Sequence, residues 1–143
     1  MALDLTQRLR VGTTNVQHLT VASEHTAPHV GSGTAPVLAT PVLVNLFEAA
    51  ALAAIENRLP QGMQSLGTRL DIQHTAATPV GMSVRAEARL SKIDGRILLF
   101  ELTAHDEQEE IGGGSHTRMV VDIARFDQRV QKKSVLSAST KQT

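Results

Sequence analysis

The chain has no cysteine, tryptophan or tyrosine, and only three phenylalanines among its 143 residues. Without cysteine there are no disulfides, no thiolate metal sites and no cysteine nucleophile, and the redox compartment stays open. With so few aromatics there is no platform for stacking bases. An excess of one charge is missing too. Fourteen Lys and Arg balance fourteen Asp and Glu, and the formal net charge is zero, so nothing favours nucleic acid or an anionic membrane surface as a partner. No stretch reaches the roughly 18 apolar residues of a membrane span, because Asn45 and Glu48 interrupt the longest one. The opening MALDLTQRLRVG has no apolar core of signal-peptide length. These absences leave a soluble, cytoplasmic protein as the expectation. The length suits a single domain, 1–143, with a real core and with flexible ends at 1–15 and 128–143.

What is present is organised around Thr40–Leu59, TPVLVNLFEAAALAAIENRL. Thr40 is a good N-cap, and Pro41 suits the first helical position because it has no N–H to leave unsatisfied. From Pro41 to Ile55 only Asn45 and Glu48 are polar, which predicts a buried helix. At roughly 1.5 Å per residue it extends about 27 Å, enough to cross a small domain.

The remainder reads as strands. Val16–Ala22 is the first, and the Gly- and Pro-rich His25–Pro36 is a loop that leads to the helix. Gln64–Ala76 alternates, with Leu66, Thr68, Leu70, Ile72 and His74 on the apolar face and Gly67, Arg69, Asp71 and Gln73 opposite. Met82–Leu90 points Val84, Ala86, Ala88 and Leu90 inward. Asp94-Gly95 is a short turn. Arg96–His105 is apolar on both faces in its first half, as a central strand would be. His116–Phe126 is the last strand, and a polar tail from Gln128 frays. One strand, a buried helix and then four strands joined by short connections imply an α+β hot-dog fold, an antiparallel sheet wrapped around one long central helix. Its exposed edges predict a homodimer.

Three residues could carry chemistry. Glu48 lies in the buried helix, where a carboxylate is almost never fully buried without a partner. It either bonds a neighbouring strand or subunit, or acts in catalysis with a shifted pKa. His74 on the inward face of its strand is either a satisfied core histidine or a general base oriented by Glu48. Thr40 caps the helix, and its hydroxyl together with the helix N-terminus could also face a developing oxyanion. Arg118 is a surface charge or an anchor for a ligand phosphate. The glycines at 112–114 permit a bulge or close backbone approach and are not a phosphate loop, since no Lys-Ser/Thr follows. The remaining histidines give no convergent metal set.

Several motifs in fixed order resemble the fluoroacetyl-CoA thioesterase family: Ser65-Leu66-Gly67-Thr68, His74-Thr75-Ala76-Ala77-Thr78-Pro79-Val80-Gly81, Ala104-His105-Asp106 and Ile111-Gly112-Gly113-Gly114-Ser115-His116-Thr117-Arg118. Leu38-Ala39-Thr40-Pro41 with Glu48 fits the same pattern, and the likeness runs from about Val21 to Lys132. The resemblance implies a hot-dog acyl-CoA thioesterase with Thr40, Glu48 and His74 as the catalytic set. It implies Gly67 near the thioester carbonyl and Arg118 toward the CoA end. It also implies no cofactor beyond the CoA that arrives with the substrate, and no metal. The family's fluoroacetyl-specific enzyme carries phenylalanines before the helix as a lid, whereas residues 29–37 here contain none. The expectation is hydrolysis of a small or medium acyl thioester without fluoroacetyl selectivity. An enoyl-thioester hydratase on the same fold, and a module that only binds acyl thioesters, are the alternatives.

Overall fold

A computed structural model describes residues 3–141. The elements are β1 (Thr14–Thr20), a single-turn helix α1 (Ala27–Val30), the long helix α2 (Thr40–Ile55), β2 (Met63–His74), β3 (Ser83–Asp94), β4 (Ile97–His105), β5 (Glu110–Asp122) and a second long helix α3 (Ile123–Lys141). The five strands form one antiparallel sheet in the order β1-β3-β4-β5-β2. The sheet curls about α2 in the hot-dog arrangement. No helix among the described residues is long and apolar enough to cross a membrane.

The alternation of β3 sets the core. Val84, Ala86, Ala88 and Leu90 are buried and meet Leu98, Phe100, Leu102 and Ala104 of β4. Against this small-residue surface pack Leu43, Phe47, Ala50, Ala51, Ala54 and Ile55 of α2. Alanines at 50, 51 and 54 let helix and sheet approach closely, and burial of the larger side chains contributes roughly 1.5–3 kcal/mol each.

Three expectations are corrected. The last strand stops at Asp122, and residues from Ile123 are helical where a strand to Phe126 and a fraying tail were expected. The helix was masked by its composition, since over 123–141 only scattered apolar residues break a polar run. At the other end, the stretch expected to be loose packs into the core through Leu5 and Leu9, and β1 begins at Thr14. The third concerns β2. Gly67 pairs with Arg118 but Arg69 pairs with Thr117, so the strand carries an extra residue there. The bulge reverses the phase. Before it the odd positions face α2, as buried Ser65 shows, and after it the even positions do, as half-buried Ile72 and His74 show. Gly67 therefore faces the helix, and Thr68 is the extra residue of the bulge.

The glycines at 112–114 serve close approach. A Cβ on Gly112 would lie 2.4 Å from the Gln73 carbonyl oxygen, and one on Gly113 2.6 Å from that of Leu102. They let β5 seat tightly between β4 and the end of β2 that carries His74.

Candidate active site

Two polar clusters lie between α2 and β2. The first holds Thr40 and His74. Ala39, not Thr40, is the N-cap, with extended backbone and no side-chain cap bond. Thr40 is instead the first helical residue, so its hydroxyl is free of helix capping. Its Oγ1 lies 2.8 Å from His74 Nδ1. His74 reaches this position because it is the last residue of β2, on the face that the bulge turns toward α2. Its other ring nitrogen, Nε2, is buried and has no hydrogen-bond partner. Burial pushes the imidazole pKa below its ordinary value, against an opposite pull from the Ala76 carbonyl. A neutral ring with one nitrogen fixed and the other unengaged is the form a general base requires. The pair borders a cavity of about 270 Å³ lined by small side chains, among them Ala27, Ser32, Val37 and Ala76.

The helix start offers fewer oxyanion donors than an ordinary one. The amides of Val42 and Leu43 both donate to the Ala39 carbonyl, and Pro41 has no N–H. Of the first-turn residues, that leaves Thr40 with an amide that could serve.

The second cluster is dense. Arg118 on β5 is only 6% exposed, which excludes the surface-charge reading. Its Nε donates to Ser65 Oγ at 2.8 Å and its Nη2 to the Ser65 carbonyl at 3.1 Å. Nη1 lies 3.2 Å from His116 Nε2 and 3.9 Å from Glu48 Oε2. Ser65 in turn donates to Glu56 Oε2 at 2.9 Å. His116 Nδ1 sits 2.8 Å from the Arg69 carbonyl oxygen. That bond fixes Nδ1–H as donor and leaves Nε2 to accept from Arg118. Burial, reinforced by the Arg118 charge, holds His116 below the ordinary imidazole range despite the Arg69 carbonyl and Glu48.

Gly67 belongs to this cluster for reasons of space. A Cβ there would lie 2.8 Å from Glu48 Oε2 and 3.0 Å from His116 Cε1. Glu48 itself keeps 39% of its side chain exposed. It is ion-paired at one oxygen and open to solvent.

The structure thus joins Thr40 to His74, and Glu48 to Gly67 and Arg118, but separates the two sets within one chain. Glu48 stands eight positions along the helix from Thr40, a rise of about 12 Å. Sequence reading singled out all five residues but missed Ser65, Glu56 and His116 as their companions. The signal for His116 was available: it stands two residues before Arg118 on one strand, hence on the same face. Ser65 and Glu56 gave none, because the bulge and the short 3₁₀ turn Glu56–Arg58 that juxtapose them are tertiary features.

Comparison with known proteins places this geometry. Residues 21–124 match the family model described as fluoroacetyl-CoA-specific thioesterase. The chain is 41% identical over 98 residues to the fluoroacetyl-CoA thioesterase of Streptantibioticus cattleyicolor, which covers 68% of this chain and 70% of that one. The solved structure of the fluoroacetyl-CoA thioesterase FlK superposes with a TM-score of 0.82 at 35% identity, covering 87% of this chain and 97% of that one. A variant of the same enzyme in complex with fluoroacetate and CoA gives 0.77 at 35% identity, over 82% and 99% of the two chains. A hot-dog-like protein from Thermanaerovibrio acidaminovorans, 20% identical, gives 0.85 over 92% and 97% and shares the fold. With the matched region spanning most of the sequence and every strand of the sheet except β1, the chain belongs to the fluoroacetyl-CoA-specific thioesterase family.

Proposed function

We propose that the protein hydrolyses small or medium acyl-CoA thioesters, as a homodimer in which each active site draws on both subunits. The observation that carries the chemistry is the Thr40–His74 pair, with an unengaged buried Nε2 beside a cavity. Nδ1–H donates to Thr40 Oγ1, and Nε2 bears the lone pair. It takes a proton from water as the water oxygen attacks the thioester carbonyl carbon. The tetrahedral intermediate collapses with cleavage of the C–S bond, and the proton passes from the imidazolium to the departing thiolate. The Thr40 amide stands at the helix N-terminus to stabilise the oxyanion. The reaction needs no cofactor besides the CoA carried by the substrate.

The dimer supplies what one chain separates. β2 is a sheet edge, and residues 67–71 along it are exposed. An open edge invites a second strand. Antiparallel pairing of β2 with its symmetry mate, about a twofold axis at Asp71, sets His74 opposite the bulge that carries the partner's Gly67. Glu48 lies against Gly67, so the partner's Glu48 would approach the imidazole and the attacking water from across the axis.

The acyl pocket differs from an aromatic-lidded one. The cavity at Thr40 and His74 is walled by Ala27, Ser32, Val37 and Leu38, without an aromatic side chain. That favours acyl groups larger than fluoroacetyl and gives no means of selecting fluorine. The relatives give no support to a hydratase or to a module that only binds.

Thiol release from a panel of short, branched, aromatic and fluorinated acyl-CoA thioesters tests the reading. At least one should be turned over, and His74→Ala should slow it by a factor on the order of 10² or more. Near-normal turnover by that variant would remove His74 from the mechanism. A panel with no thiol release at all would remove the hydrolase.

A further inference from the structure

The loop that follows His74 and the segment that leads into α2 form one unit. Thr78 is fully buried, and its carbonyl accepts the Leu38 amide at 2.8 Å. Beside that bond Val37 bridges Pro79. Leu38 stands directly before Ala39, the N-cap, and Thr40. At the other end of the loop the Thr75 amide, next to His74, donates to the Ile111 carbonyl at 2.8 Å. Residues 75–78 thus connect the two members of the Thr40–His74 pair through the backbone. The Thr78 hydroxyl leaves this unit and donates to Asp106 Oδ2 at 2.9 Å. Asp106 lies in the connection between β4 and β5. Its Oδ1 accepts the amides of Gln108 and Glu109 at 2.8 and 3.0 Å, and its own amide donates to the Glu109 carbonyl at 2.9 Å. Burial raises the Asp106 pKa, but the Gln108 amide, the Thr78 hydroxyl and the Glu109 amide, with His105 nearby, outweigh it and hold the carboxyl below its ordinary value. The acceptor is a carboxylate at neutral pH, and its bond to Thr78 is charge-assisted.

A buried hydroxyl needs an acceptor, but what the bond achieves depends on how its ends are anchored. Apolar packing at this position would fill the space without direction, whereas a hydrogen bond fixes distance and angle together. Asp106 is itself tied to its turn by three bonds, so this strut has a rigid end. Its other end governs two things at once: the carbonyl that receives the Leu38 amide, and the chain that leaves His74. We infer that Thr78 and Asp106 are positioning residues for catalysis. Their side-chain bond holds the loop 75–78 and, through the Leu38 amide, the start of α2, so that Thr40 Oγ1 and His74 Nδ1 meet at hydrogen-bond distance. The cavity beside the pair is lined from both segments, by Thr75, Ala76 and Ala77 and by Val37 and Leu38. A slack loop would therefore also loosen the space in which water and thioester are brought together. The inference rests on the Thr40–His74 chemistry proposed above.

Substitutions at both ends of the strut test it. Thr78→Val keeps the shape and removes the hydroxyl. It should lower kcat by about tenfold, because small misplacements of reacting groups are costly, while KM moves by less than about twofold. Thr78→Ser keeps the hydroxyl and should stay within about threefold of wild type. Asp106→Ala should lower kcat to a similar extent. The double variant should be no slower than the slower single one, as two ends of one bond require. Amide hydrogen exchange reads the geometry without turnover. Protection of the Leu38 amide should fall by about tenfold or more in Thr78→Val and in Asp106→Ala and be retained in Thr78→Ser, while the amides of β3 keep theirs and certify the fold. Unchanged Leu38 protection in both single variants would overturn the inference. So would kcat losses that add in the double variant, or a Thr78→Val variant whose KM rises while kcat holds. A loss confined to Asp106→Ala would also overturn it, by assigning Asp106 to its turn alone. If Leu38 exchange responds as expected but no acyl-CoA releases thiol, the strut stands and the hydrolase fails.

Discussion

The two polar clusters along α2 and β2 are built in opposite ways. The one at Arg118 is saturated: its guanidinium meets Ser65 twice and His116 once, and Ser65 is tied on to Glu56. The one at His74 is sparse. It has a single hydrogen bond, to Thr40, and a buried nitrogen with none. A buried polar atom without a partner costs about 1–3 kcal/mol, so a fold retains it only where something else arrives. The difference separates a cluster whose polar groups satisfy one another from one that keeps a position open for a partner. Glu48, ion-paired on one side and 39% exposed, stands at the boundary between them.

The sharpest way to break this comparison is to mix subunits. His74→Ala and Glu48→Ala should each lower turnover by about 10² or more as purified proteins. Unfolded together and refolded as a random mixture, they should recover about a quarter of wild-type activity, because half of the dimers carry one intact site of two. No recovery, with mixed dimers confirmed by mass, would place both residues of a working site in one chain.

How much of this the sequence disclosed depends on the distance over which each signal acts. The alternation of β3 and the apolar run of α2 are local, and both identify elements that the structure contains. The absence of Phe, Tyr and Trp from residues 29–37 is likewise local and is read directly from the sequence. By contrast, the extra residue in β2 leaves no mark in the alternation itself. Reading straight through it put Gly67 on the wrong face, where it could not have met Glu48. The same local reasoning assigned Thr40 as the cap, because Thr before Pro has that chemistry, whereas the chain reaches the helix one residue earlier and leaves the hydroxyl to His74. What the sequence could not disclose is which polar residues share a partner, since that is decided by strand register and not by spacing.

The next effect in size falls on the saturated cluster. Arg118→Leu should destabilise the protein by about 2–3 kcal/mol, mostly by leaving His116 Nε2 and the Ser65 groups without their donor. Glu48→Gln, at a site open to solvent, should cost under about 1 kcal/mol. Urea unfolding of both variants measures the pair. Equal losses would mean that the ion pair, not the buried hydrogen bonds, holds the cluster.

A smaller effect separates the roles of Thr40. Thr40→Val keeps the shape and removes the bond to His74, and should lower kcat by about tenfold, one charge-neutral hydrogen bond's worth. Thr40→Ser should restore most of it. KM should hardly change if the hydroxyl positions the imidazole and does not grip the acyl group. A Thr40→Val variant that loses only KM would assign the hydroxyl to substrate binding.

The smallest effect is the response to pH, and it should differ between the clusters. His74 and His116 are both held below the ordinary imidazole pKa, chiefly by burial. The unfolded chain therefore takes up protons first as pH falls below about 6.5, and stability declines with acid through that range. His116→Gln should flatten the decline seen in melting temperature between neutral and mildly acid pH, because it removes one group that the fold keeps neutral. Turnover should follow the other histidine: it falls when Nε2 of His74 gains a proton and can no longer accept one from water. The two curves should thus part in His116→Gln, with activity still falling in acid while stability falls less. If both flatten together, His116 and not His74 sets the titration of the active site, and the sparse cluster is not where the base resides.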